Sequence, residues 1–125
     1  MAEEAIEVNQ VLTICQATAQ ERNILITRER MNQLTDYAEM TNRDITELAS
    51  KLERRTVADG RIIIPSKVLK NIQALCFWAR EKTRKGEELI AEEFTPEELA
   101  ATKETMRIRE EGQKEIEKDS TLEQL

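Results

Sequence analysis

The sequence predicts a mainly α protein: a compact bundle of about four to five helices, with one short β-hairpin candidate at 55–64 and a long, charged C-terminal helix. Three observations carry this expectation. Apolar residues recur at helical spacing through most of the chain, two segments open with strong helix N-terminal signals, and glycine and proline are scarce, at three and two in 125 residues. The apolar 39% includes only four aromatic residues, Tyr37, Phe77, Trp78 and Phe94, so the core must be built mainly from aliphatic side chains, Met and Ala. Charged residues make up 35% of the chain. Thin cores of this kind lean on a partner or on self-association.

In chain order, Val8, Val11, Leu12, Cys15 and Ala19 share one helical face, predicting a helix from Glu3 to about Glu21. The apolar run Ile24-Leu25-Ile26 follows. A break is expected there, with Thr27 capping a new helix whose buried positions are Met31, Leu34, Tyr37 and Ala38. Thr41 then reads as an N-cap, with Asp44 three residues on to return its hydrogen bond and Met40 and Ile45 at the staple positions; the helix begins at Asn42. The same grammar returns at Phe94-Thr95-Pro96-Glu97-Glu98-Leu99, where Thr95 caps and Pro96 takes the first helical position. Between these two starts, Asp59-Gly60 precedes the β-branched run Ile62-Ile63-Ile64, the chain's one strand candidate, expected to pair with Arg55 to Val57 or with another chain. Pro65 stops it, Ser66 is placed to cap a helix over 67–85, and Gly86 ends that helix. The helix from Pro96 carries the weak stripe Leu99, Thr102, Met106, then drifts to Ile108, Gly112 and Ile116. This yields a helical core domain at 1–92, a C-terminal helix packed on it or extending from it at 93–118, and a flexible tail at 119–125.

Several chemistries lack material. There is no histidine, and Cys15 and Cys76 have no companion at metal-ligand spacing, so thiolate or imidazole zinc sites and cysteine–histidine catalysis are not expected. Both cysteines sit among apolar residues and read as buried reduced thiols. Glycines at 60, 86 and 112 are never clustered, which removes the usual phosphate-cradling loops. Adjacent acidic pairs such as Glu87-Glu88 and Glu97-Glu98 have surface-type neighbours and read as solvated faces. The acidic start, Met1-Ala2-Glu3-Glu4, is unlike a signal peptide, and no apolar stretch approaches membrane-spanning length. A non-enzymatic, cofactor-free protein of the cytoplasm or nucleus, with no membrane partner, is the expectation.

Net charge is -6, distributed as a basic block between two acidic ones: residues 51–85 carry ten cations against three carboxylates. Either the segments neutralise one another within the fold, or the block meets an acidic surface or nucleic acid. On the helix over 66–85, Val68, Leu69, Ile72, Leu75, Cys76 and Ala79 share an arc of roughly 120°, a normal core stripe. Phe77 and Trp78 fall outside it. Phe77 lies toward Lys70, and Trp78 toward Lys67, Lys82 and Lys85. Such rings are either packed by a second element or offered to a partner, with lysines as a steering rim.

The leading functional expectation is therefore a protein-interaction or self-assembly module using Phe77, Trp78, Lys67, Lys70, Lys82 and Lys85, with a protein partner or further copies of the chain. The alternative is nucleic-acid binding by the 51–85 block, through Arg54, Arg55, Arg61, Arg80 and Arg84 as well as the lysines. The order of extended segment, helix and helix resembles ribbon-helix-helix proteins. It departs from them in the long helix after Ser66, the sixty residues before the strand candidate, and three successive isoleucines where a groove-reading strand alternates with polar residues, so no family is assigned.

Overall fold

A computed structural model describes the backbone of residues 3–123 and the side chains of residues 5–109. The tail expected at 119–125 lies outside the residues whose side chains are described. The protein is mainly helical. Its elements are α1 (Glu3–Ile14), α2 (Ala19–Asn23), a π-helical turn (Ile24–Arg28), α3 (Leu34–Ala38), α4 (Asn42–Arg54), α5 (Ser66–Arg84), a 3-10 turn (Ala91–Glu93) and α6 (Pro96–Glu123).

The first helix is shorter than the stripe predicts. Gln16 takes a left-handed φ of 70°, and the Ala17 N–H folds back to the Leu12 carbonyl at 3.1 Å, closing α1 before Ala17. Thr18 then opens α2 through a capping box: the Glu21 N–H donates to Thr18 Oγ1 at 3.1 Å, and the Thr18 N–H donates to Glu21 Oε1 at 2.8 Å. The break expected near Thr27 does not occur. Ile24 and Leu25 are both buried, and widening the ladder to a π turn, with Glu29 N–H on the Ile24 carbonyl at 3.0 Å, keeps the chain helical as they enter the core. Thr27 lies within this turn, its hydroxyl donating to Asn23 Oδ1 at 3.1 Å, and α3 starts only at Leu34.

Both strong N-terminal signals are realised. Thr41 and Asp44 form the reciprocal box at α4 with bonds of 3.1 and 3.0 Å, and the Glu98 N–H donates to Thr95 Oγ1 at 3.1 Å at α6. Ser66 does not cap α5. Pro65 occupies the N-cap position with extended backbone and Ser66 is the first helical residue. Gly86, at φ 75°, closes the helix.

The hairpin candidate at 55–64 is not a strand pair, and no strand forms among the described residues. Residues 57–60 make a tight turn, and the extended segment after it is satisfied by the end of α4. Ile62 N–H donates to the Leu52 carbonyl at 3.2 Å, and Arg61 Nε donates to the Glu53 carbonyl at 2.9 Å. Late α4 carbonyls without helical partners take the place of a second strand. Arg28 completes the turn by donating to the Asp59 carbonyl at 2.5 Å and lying against Gly60, whose φ of 88° favours glycine.

The core sits around α5, which packs against α3, α4 and α6, while α1 reaches α2, α3, the π turn and the 3-10 turn. Tyr37 is fully enclosed and its hydroxyl donates to the Met31 carbonyl at 3.0 Å. One ion pair ties the π turn to α4. The Glu29 carboxylate, its side chain 9% exposed, accepts from Arg55 Nη2 at 2.7 Å and Lys51 Nζ at 3.2 Å. Burial alone would raise this carboxyl, but the hydrogen bonds from Arg55 and Lys51 outweigh it and hold it below its ordinary value of 4.5. A lowered folded-state value gives stability that is complete above 4.5 and lost as pH falls through the lowered value. Glu29→Gln is expected to cost about 1–3 kcal/mol near neutral pH. Its deficit relative to wild type should shrink in thermal melts taken below 4.5, and a deficit that is constant with pH would remove the ion pair as the cause.

Candidate functional site

The basic block is neutralised from within only in part. Of its ten cations, Lys51 and Arg55 pair with Glu29, Lys82 with Glu93 at 3.0 Å and Glu87 at 3.3 Å, and Arg84 with Glu81 at 2.6 Å. Arg61 is spent on the Glu53 carbonyl, and Arg80 donates to the Met40 carbonyl, fastening the α3–α4 junction to α5. Only the side chains of Arg54, Lys67, Lys70 and Lys85 make neither an ion pair nor a hydrogen bond among the described residues.

The two rings displaced from the α5 stripe separate in fate. Trp78 is 4% exposed, tilted at 56° on Phe94 with centroids 5.1 Å apart, and its indole N–H has no acceptor among the described residues. The second packing element is the 3-10 turn together with α6. Trp78 is thus core, although the wheel places it beside Lys82, whose ammonium does lie 5.9 Å from the ring centroid. Phe77 is half-buried, with the Arg109 guanidinium 5.1 Å and the Arg80 guanidinium 5.9 Å from its centroid.

Apolar burial and polar bonds together set the position of α6 on α5. Phe94 meets Trp78, Leu99 and Thr102 are buried, and Lys103 Nζ donates to the Asn71 side-chain carbonyl at 2.9 Å. Asn71 is 2% exposed, and its amide donates onward to the Cys15 carbonyl at 2.9 Å, so one side chain links the end of α1, α5 and α6. Cys15 Sγ–H returns a bond to the Asn71 backbone carbonyl at 3.4 Å.

Two clefts border this contact. The narrower, about 390 Å³, is bordered by Trp78, Lys82, Lys85 and Thr102, and shares Phe77 and Arg109 with the wider one. The wider, about 720 Å³, is lined by Phe77 and Met106, both half-buried, and by exposed Lys70, Lys103, Glu104 and Arg107. Lys67 lies one turn before Lys70 on α5 and is exposed, and Arg54, on α4, is not part of either cleft. Lys70 and Phe77 are therefore the two expected binding residues that the fold brings into the wide groove. Lys103, Met106, Arg107 and Arg109 join them from α6, and of these only Met106 was marked in advance, by its stripe.

Both thiols are enclosed and protonated. Burial pushes the Cys76 thiol up to about 12 and Cys15 higher still. Among the described residues no group of three or more carboxylate, thiol or imidazole side chains is placed to hold a metal ion, and no helix is long and apolar enough to cross a membrane. The chain matches no known protein family, no curated protein and no solved structure.

Proposed function

We propose that the chain is a non-enzymatic interaction module, and that the wide groove between α5 and α6 receives a segment of polypeptide from a partner or from a second copy of the chain. The observation that carries this reading is the placement of Phe77. A large aromatic ring, partly exposed and with two guanidinium groups 5.1 and 5.9 Å from its centroid, lines a groove of about 720 Å³. Rings that are immobilised before binding and enclosed after it are the usual anchors of interfaces. Six of the ten cations in 51–85 are committed to internal carboxylates or carbonyls, which weakens the rival reading of that block as a phosphate-binding surface.

The test is a displayed library of helical peptides selected on the full chain and counter-selected on Phe77→Ala. Enriched peptides should bind the variant more weakly by about 2 kcal/mol or more, the scale of an interface anchor. The emission of Trp78, the one tryptophan, should be unchanged, showing that the core is intact. Peptides that bind both proteins equally would remove Phe77 from the site. Sedimentation of the full chain separates the two occupants: association that Phe77→Ala abolishes assigns a second copy, and a monomer at every concentration assigns a foreign segment.

A further inference from the structure

Resting on that reading of the groove, we infer that its occupant is an acidic amphipathic helix of a foreign protein, its apolar stripe on Phe77 and Met106 and its carboxylates facing Lys70 and Lys103. The charge around the groove has the opposite sign to that of the chain. Lys70, Lys103, Arg107 and Arg109 line it with Glu104; Arg107 is paired with Glu104 and Arg109 with Glu81 at 3.2 Å, so among the described residues the cations that meet no carboxylate are Lys70 and Lys103, in a protein of net charge -6.

The two lysines matter most because no carboxylate meets either of them. Lys70 has no polar partner among the described residues, and Lys103 spends its ammonium on the neutral side-chain oxygen of Asn71, which orients the charge without cancelling it. One stands on α5 and the other on α6, so each of the two helices that border the groove contributes one of these lysines to its lining. A helix laid between two helices presents anchors at i, i+3, i+4 and i+7, with its flanks turned toward such walls. Acidic flanks are attracted there and basic flanks are repelled, which acts mainly on partner choice and association rate.

A polyanion fits less well. The unpaired cations do not form a continuous row in this groove, the chain around it is acidic, and the face of Phe77 that a base would stack on is approached by Arg109 at 5.1 Å.

The experiment compares two synthetic helical peptides with the same leucine stripe, one with glutamate and the other with lysine on its polar positions, titrated into the full chain. The glutamate peptide should bind about tenfold or more tightly at low ionic strength, with the gap narrowing as salt is added. Lys70→Glu should reduce or reverse the preference, while Phe77→Ala weakens both peptides. Equal binding of the two peptides, both lost in Phe77→Ala, would overturn the acidic partner and leave the groove reading standing. Binding of neither would overturn both. A single-stranded DNA oligonucleotide that displaces the glutamate peptide and is itself lost in Lys70→Glu would reassign the groove to nucleic acid. Self-association that Lys70→Glu abolishes would make the occupant a second copy and overturn the foreign one.

Discussion

Trp78→Ala is expected to destabilise the fold by about 3–5 kcal/mol, the range for deleting a large buried aromatic. The ring is 4% exposed and packs at 5.1 Å on Phe94, so its removal opens a cavity where α5, the 3-10 turn and the start of α6 meet. For a chain of this size that corresponds to a fall in melting temperature on the order of 10–20 °C. Trp78→Phe should be far milder, within about 1.5 kcal/mol of wild type. It keeps an aromatic partner for Phe94 and removes an indole N–H that has no acceptor among the described residues, a group whose burial unpaired costs about 1–3 kcal/mol. Thermal or urea melts decide the matter. If Trp78→Phe were as damaging as Trp78→Ala, the indole N–H would have to be making a bond in solution, through a trapped water. If Trp78→Ala left the melt unchanged, the ring would be peripheral and α6 held by something else.

This contrast marks where the sequence is legible and where it is not. Thr41 with Asp44 and Thr95 with Glu98 could be read directly, because an N-cap and its N–H lie within three residues and depend on nothing distant. The span of α5 was legible for the same reason, bounded by Pro65 and Gly86. Trp78 was ambiguous because a helical wheel shows one stripe and cannot know that Phe94 returns to cover a second. The hairpin at 55–64 failed similarly: its pattern was extended, but the partner for Ile62 N–H turned out to be the Leu52 carbonyl at the end of a helix. The charge asymmetry was visible as a sum, whereas its cancellation required knowing that Arg55 reaches Glu29 across 26 positions. Of the groove, α5 supplied Lys70 and Phe77 in advance. The far wall, Lys103, Arg107 and Arg109, depends on how α6 docks, and its weak stripe carries little of that information.

Asn71 is the polar centre of that docking, and its variants separate the groove's support from its binding surface. Asn71→Leu keeps the branched shape, with somewhat greater bulk, but leaves the Cys15 carbonyl without its donor, and is expected to cost about 1–3 kcal/mol. Asn71→Asp should cost more at neutral pH despite offering Lys103 a carboxylate, because it sets a buried negative charge against the Cys15 carbonyl where an N–H had donated. Lys103→Met should cost least, since the exposed lysine gives up one bond to a neutral oxygen, and Asn71 Oδ1 is the only group left unpaired. The expected order in urea melts is therefore Asp, then Leu, then the Lys103 change. An equal loss from Asn71→Leu and Lys103→Met, with a double variant no worse than either, would instead make the Lys103 bond the whole of the linkage. In the expected case, α6 is fastened chiefly through apolar contacts and the Asn71 bond to α1. The charge of Lys103 then remains available on the groove wall, and a binding defect in Lys103→Met could be read as lost recognition of a partner and not as a disturbed fold.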